Sequence, residues 1–208
     1  RDIFAPDTGS WTWMDFNQLE MRILAAIARE PKMLEDFENN EDVHWETQHT
    51  IWPESSQGDE VYRLRAKTFN YAMSYRGQDY TLAKHTGLPV KTAGEYRTWW
   101  LNNYSRVDEW QQETIALGWE NKWVENMFGR RCRLPTLDTA PMSHIEKCAV
   151  NYSIQSTAAD VVKRAMLHPD VVDLDQVLQV HDEILVDGAV EFPEALEWVG
   201  PLRTPFKV

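Results

Sequence analysis

The run Leu178–Asp187, LQVHDEILVD, constrains this chain more than any other stretch. Apolar, β-favouring residues flank His-Asp-Glu on both sides, which predicts two short strands joined by a tight turn. The turn carries adjacent carboxylates, Asp182 and Glu183, and has none of the Gly, Asn or Pro that tight turns favour. Acids in that position are either a solvated turn or a holder for something positive. A second strand, Trp11–Met14, lies near the other end and runs into Asp15. Strands at both ends with helical patterns between them predict an α+β fold, a sheet domain into which helices are inserted.

The helical patterns begin at Gln18–Ala28, with apolar residues at 19, 23, 24 and 27 and a stop before Pro31. PESSQG from Pro53 reads as a loop. Helices are predicted over Glu60–Ser74 and Val90–Leu117, the second Trp-rich and ended by Gly118. Trp123–Leu134 reads as a hairpin turning at Gly129, Ala140–Leu167 as a helix, and Pro193–Val199 as a short helix before a last strand. The ten tryptophans are expected in the core, with Trp99, Trp100 and Trp110 in a packing pattern on the long helix. His44, His49, His85, His144 and His168 share no metal-ligand spacing and are expected at surface or packing positions.

Composition sets bounds. A chain of 208 residues, 43% hydrophobic, can bury a real core and is not disordered. It has no apolar run of about 18 residues, as a membrane-spanning helix requires. Arg1–Phe4 shows no signal-peptide pattern, and the first residue is not Met, as expected of a piece of a longer protein. Cys132 and Cys148 lack metal-ligand spacing, which favours free thiols in an intracellular protein. A net charge of −12 counts against nucleic acid as a partner. The charge is uneven, however: Tyr62–Arg106 holds eight Lys or Arg against two acids.

The chemistry-bearing residues fall in these same regions. Asp15 and Asp182 are distant in sequence, but two facing carboxylates are the minimal scaffold for two divalent metals, and Mg2+ suits such a site. The plain alternative is a turn acid and a helix N-cap. Within the basic segment, Arg63, Lys67, Tyr71 and Tyr75 recur every four residues and form one helical stripe, cationic first and aromatic after. Cations suit a triphosphate and a flat apolar ring suits a base, in the order a nucleotide presents them. The alternative is a solvated face with two packed tyrosines.

Three segments taken together, DFNQLEMRILAAIA from Asp15, RLRAKTFNYAMSYRG from Arg63 and LQVHDEILVD around Asp182, resemble motifs A, B and C of family A DNA polymerases. FGRRCRLP from Phe128 and NYSIQSTAADVVKRAM from Asn151 agree. The resemblance spans nearly the whole chain and outweighs the objection from net charge. It implies a palm over residues 1–30 and 139–208 carrying helical fingers over 31–138, with no thumb and no exonuclease in the chain. The activity implied is DNA-templated DNA synthesis with two Mg2+ ions, Mn2+ being an alternative. Primer–template DNA, dNTPs and an upstream thumb segment are the implied partners, in the cytoplasm of a bacterial or phage-infected cell and away from membranes. Asp15 and Asp182 would bind metal with the carbonyl of Phe16, and Glu183 would stand beside the primer end. Arg63 and Lys67 would hold the triphosphate, Tyr71 would stack on the sugar and base, and Tyr75 would close the pocket. Glu20 would bond Tyr75 and exclude a ribose 2′-OH. Asn151, Gln155 and His181 would meet the primer–template. Arg130 and Arg131 would touch phosphate or form a solvated hairpin end.

Departures from the family pattern are visible. Arg76 follows Tyr75 where Gly is usual, so Gly77 is expected to take the turn. Ser153 and Ser156 stand where Pro and Gly are common, Tyr71 where many bacterial enzymes have Phe, and the span between Leu167 and Val177 is short. Three rival readings remain at this level. A single-subunit RNA polymerase shares the lysine–tyrosine helix, though Glu20 and QVHDE point to the DNA branch. A metal-dependent nuclease also uses paired carboxylates but has no need of the Arg63–Tyr75 stripe. The third is a non-catalytic fragment that binds DNA or a partner.

Overall fold

The computed structural model describes residues 5–199 and 202–208, so the reading of Arg1–Phe4 lies outside the described residues. Strand β1 (Trp11–Phe16) and helix α1 (Leu19–Ala28) lead into α2 (Pro31–Glu38), α3 (Val43–Ile51), α4 (Glu60–Ser74), α5 (Asp79–Thr86), α6 (Val90–Asn103) and α7 (Ser105–Asn121). The hairpin β2 (Trp123–Glu125) and β3 (Arg131–Arg133) then precedes the long helix α8 (Met142–Met166). The chain closes through β4 (Gln176–Val180), β5 (Glu183–Asp187), β6 (Trp198–Val199), β7 (Leu202–Arg203) and β8 (Phe206–Lys207). The fold is α+β, as expected.

The main sheet runs β4-β5-β1-β8 and is antiparallel. Side chains alternate across it: Met14, Phe16, Ile184 and Val186 are almost wholly buried. Asp15 pairs with Glu183 in the β1–β5 register, so the two point to the opposite face. The first strand is two residues longer than its sequence suggests, because Asp15 and Phe16 pair with Lys207 and Phe206 of β8. Asp15 therefore sits within the strand, and the N-cap of α1 is Gln18 in left-handed conformation, φ 53°. That removes the helix-cap alternative for Asp15.

The single helix expected over Val90–Leu117 is two. It breaks at Tyr104, which is 1% exposed, packs edge-on against Trp100 at 4.9 Å, and donates its hydroxyl to Glu46 over 3.1 Å. The new helix start is capped from a distance: Arg106 N–H donates to the Glu30 carboxylate over 2.9 Å, while the other oxygen of Glu30 accepts from Lys32 N–H at the start of α2. Gly118 does not end the helix. It lies within α7, where an added Cβ would stand 2.8 Å from Leu134 Cδ1, and Lys122 takes the left-handed position, φ 65°. The short helix expected from Pro193 is a 3-10 turn, Glu194–Glu197, followed directly by β6.

Asn70 ties the inserted helices together. Its Oδ1 accepts from the Trp100 indole N–H over 2.8 Å, and its Nδ2 donates to Val43 O over 3.2 Å and meets His44 Nδ1 at 2.9 Å. The indole nitrogen is a donor only, so the amide orientation is fixed and His44 Nδ1 must accept. Leaving these buried donors unmet would cost about 1–3 kcal/mol each. Tryptophan burial is less uniform than expected: Trp100 and Trp52 are buried, whereas Trp13 is 48% and Trp198 61% exposed.

Candidate active site

The β4–β5 turn is a two-residue loop, because Val180 pairs with Glu183. With no glycine available, His181 takes the positive φ, 53°. A left-handed non-glycine residue costs about 1–2 kcal/mol and marks a tip held by its surroundings. Phe16 N–H fixes it by donating to Asp182 O over 3.2 Å. The end of β1 and the hairpin tip are thus one unit carrying Asp15, Asp182 and Glu183.

These acids feel one another. Burial raises the Asp15 carboxyl above its ordinary value, the neighbouring charges of Asp182 and Glu183 raise it further, and Lys207 and Lys67 pull it back. Crowded hard oxygen donors fit a hard divalent cation such as Mg2+ or Mn2+. Among the described residues no cluster of three or more His, Cys, Asp or Glu side chains forms a ready metal cage. Further ligands would be backbone, water or substrate oxygens.

A cleft of about 610 Å³ opens beside the tip. Its walls bring together Glu20 from α1, Lys67 and Tyr71 from α4, Gln155 from α8, and His181 and Asp182 from the tip. Lys67 Nζ lies 5.8 Å from the centre of the Tyr71 ring, and His44 lies 5.9 Å behind that ring. Burial, then the charges of Glu20, Asp182 and Asp15, push the Tyr71 hydroxyl up to about 12, so it is a protonated donor at neutral pH. The Tyr75 hydroxyl is buried without a hydrogen bond of normal geometry. Glu20 and Gln155 are the polar groups acting on it, after burial, and its pKa lies far above the ordinary tyrosine value. Glu20 is itself raised, by burial first.

Other expected residues stand apart from the cleft. Arg63 is ion-paired with Asp42, which also caps α3 by accepting from His44 N–H at 3.0 Å. Arg130 makes a two-bond pair with Asp160, at 2.9 and 2.5 Å, and Arg131 donates to Glu125 over 2.9 Å while lying 4.2 Å over Trp123. Asn151 precedes Gln155 by one turn of α8 and does not line the cleft. Helix α4 ends differently from expectation: Arg76, not Gly77, takes the left-handed position, φ 60°. Gly77 is needed for the approach it allows, since its N–H donates to Ala72 O over 2.6 Å and a Cβ there would lie 2.8 Å from that oxygen. Sequence reasoning missed Lys163 and Gln179, which also line the cleft. Their signal was spacing alone: Lys163 lies eight residues beyond Gln155 on one helix, and Gln179 lies on β4 two residues before His181 of the turn.

The chain is similar in sequence and in fold to known proteins. DNA polymerase I of Pseudomonas aeruginosa is 33% identical over 203 residues, covering 91% of this chain and 22% of that protein. The thermostable DNA polymerase I of Thermus thermophilus is 30% identical over 211 residues, covering 94% of this chain and 25% of that protein. The chain therefore spans about a quarter of the length of these relatives. Among solved structures, the POL domain of Pol1 from M. smegmatis, in complex with DNA primer-template and dNTP, superposes with a TM-score of 0.79 at 27% identity, covering 95% of this chain and 37% of that one. The family profile described as DNA polymerase family A matches residues 1–197. The chain belongs to DNA polymerase family A.

Proposed function

We propose that this chain carries the nucleotidyl-transfer site of a DNA-templated DNA polymerase. One observation carries the reading: a single cleft has the carboxylate of Asp182 on one side and the Lys67–Tyr71 face of α4 on the other. In this reading Lys67, within the cleft, and Arg63, outside its walls, hold the triphosphate, and Lys67 supplies a proton to the departing pyrophosphate. Arg63 must exchange Asp42 for phosphate to do so. Tyr71 lies beside the incoming sugar and base, and Tyr75 closes the site toward the template. Glu20 stands where a ribose 2′-OH would intrude. Gln155, His181 and Asn151 hold the primer–template, with Arg130 and Arg131 reaching phosphate from within their ion pairs. Asp15 and Asp182, with the Phe16 carbonyl and Glu183 nearby, would hold two Mg2+ ions. When bound, such ions activate the primer 3′-hydroxyl and neutralise charge on the leaving group. In this reading residues 1–30 and 139–208 are palm and 31–138 fingers.

The test is template-directed extension of a labelled primer in Mg2+, with dNTPs or rNTPs. Extension by dNTPs alone supports the reading. Preference for rNTPs would instead indicate an RNA polymerase, and primer shortening without synthesis a nuclease.

A further inference from the structure

We infer that Lys163 and Arg164, near the end of α8, hold phosphates of the primer strand a few nucleotides behind its 3′ end. This rests on the polymerase reading of the cleft. The cleft does not stop at Asp182: its floor follows α8 through Ala158, Ala159 and Val162 to Lys163. Lys163 also lies on the rim of a second hollow, of about 510 Å³, bounded by Phe128, Arg130, Asp160 and Arg164. Lys163 lines both, so the two hollows adjoin at this lysine, and we take them as one trough.

Charge changes along this trough. The Asp182 end is acidic, the middle is floored by two alanines that keep the helix surface low, and the far end is cationic. Among the described residues that line that hollow, the carboxylate is Asp160, already met by Arg130 and by Asn126 Nδ2 at 2.7 Å. Lys163 and Arg164 are exposed, and among the described residues neither belongs to an ion pair. Arg164 is nonetheless held in place, its guanidinium 4.1 Å over the Phe128 ring, which leaves its N–H edge for an acceptor. The occupant these features fit is a polyanion that begins at the carboxylate end. The strand that ends at Asp182 is the primer. From Gln155 to Lys163 the helix rises about 12 Å, which is roughly three to four nucleotides at 3.4 Å per step.

The experiment measures binding of a primer–template duplex to the chain by fluorescence anisotropy over a range of salt. Each duplex phosphate contact contributes about 0.9 to the slope of log affinity against log salt. The double variant Lys163→Gln/Arg164→Gln should therefore lose about 2 from the wild-type slope. In addition, a neutral methylphosphonate at the third or fourth linkage from the primer 3′ end should weaken wild-type binding and leave the variant unaffected. An unchanged slope, or sensitivity only to a methylphosphonate in the template strand, overturns the inference. If wild type extends primers and the variant's slope is unchanged, only this inference fails. If wild type neither binds nor extends primer–template, the polymerase reading itself fails.

Discussion

The acidic end of the sheet and the cationic face of α4 share one cleft, yet their charges are balanced differently. On α4, Arg63 already has a carboxylate, Asp42, and Lys67 rests against the Tyr71 ring. At the sheet end, Asp15 is destabilised as an anion by burial and by Asp182 and Glu183. A charge balanced inside the protein has a structural task and must be exchanged before it can serve a ligand. A charge crowded by its own sign, and only partly offset by Lys207 and Lys67, gains further from a cation that arrives. The acidic tip is therefore where an incoming cation matters most, and α4 is where structure and binding compete.

The largest effect should come from breaking the acidic side. Asp182→Asn is expected to lower single-turnover extension on the order of 10³-fold or more, since a divalent ion stabilises transition-state charge by several kcal/mol. Circular dichroism and DNA affinity should be unchanged. Activity near wild type would remove Asp182 from the chemistry.

On the cationic side, Lys67→Ala should reduce kcat/KM for dNTP about 10²–10³-fold, through kcat and KM together, because its charge acts on bound and developing phosphate alike. A change confined to DNA affinity would make Lys67 a backbone contact instead.

Behind α4 lies His44, whose Nδ1 must accept from Asn70 and whose protonation is opposed mainly by burial, pulling it down to about 4 from 6.5. The unfolded chain takes up that proton more readily. His44 therefore contributes stability that is complete above pH 6.5 and is lost on acidification toward pH 4. About 3 kcal/mol should disappear across that window, at 1.36 kcal/mol per unit. Denaturant melts from pH 7 to 4 would show the loss, and His44→Gln should flatten it. Asp42 and Asp160 titrate below ordinary carboxylates, so their loss comes at lower pH.

The smallest effect concerns the end of α4. Arg76→Gly should stabilise the fold by about 0.5–1 kcal/mol by relieving a left-handed side-chain-bearing residue. Unchanged or lower stability would mean that the Arg76 side chain contributes as much as its backbone costs.

How far the sequence carried can be judged at particular residues. Helix α4 was legible to the residue, because its stripe is a local signal; the structure adds a cap that was not read, Asp59 accepting from Val61 and Tyr62 N–H. The β4–β5 hairpin was legible for the same reason. The break at Tyr104 was not, because its causes, Glu46 and Glu30, lie on other elements. Short helices α2, α3 and α5 escaped notice, having too few turns to establish a period. The extension of β1 to Phe16 depended on β8, near the far end of the chain. In the site, residue types and order pointed to Asp15, Lys67, Tyr71 and Asp182. The internal pairing of Arg63, Arg130 and Arg131 could not be read, since ion pairs between distant segments leave no periodic trace.

The most direct test of the claim that the tip and α4 bind one nucleotide between them is the dideoxy/deoxy discrimination of Tyr71→Phe. The Tyr71 hydroxyl stays protonated and lines the cleft with Asp182. With a dideoxynucleotide it can supply the hydrogen bond to a phosphate oxygen that a 3′-OH would otherwise make, worth about 1.5–3 kcal/mol with a charged acceptor. Wild type should accept dideoxynucleotides nearly as well as deoxynucleotides. Tyr71→Phe should shift the kcat/KM ratio about 10- to 150-fold against them, while rejection of ribonucleotides, assigned to Glu20, persists. A ratio unchanged by Tyr71→Phe would contradict the shared site.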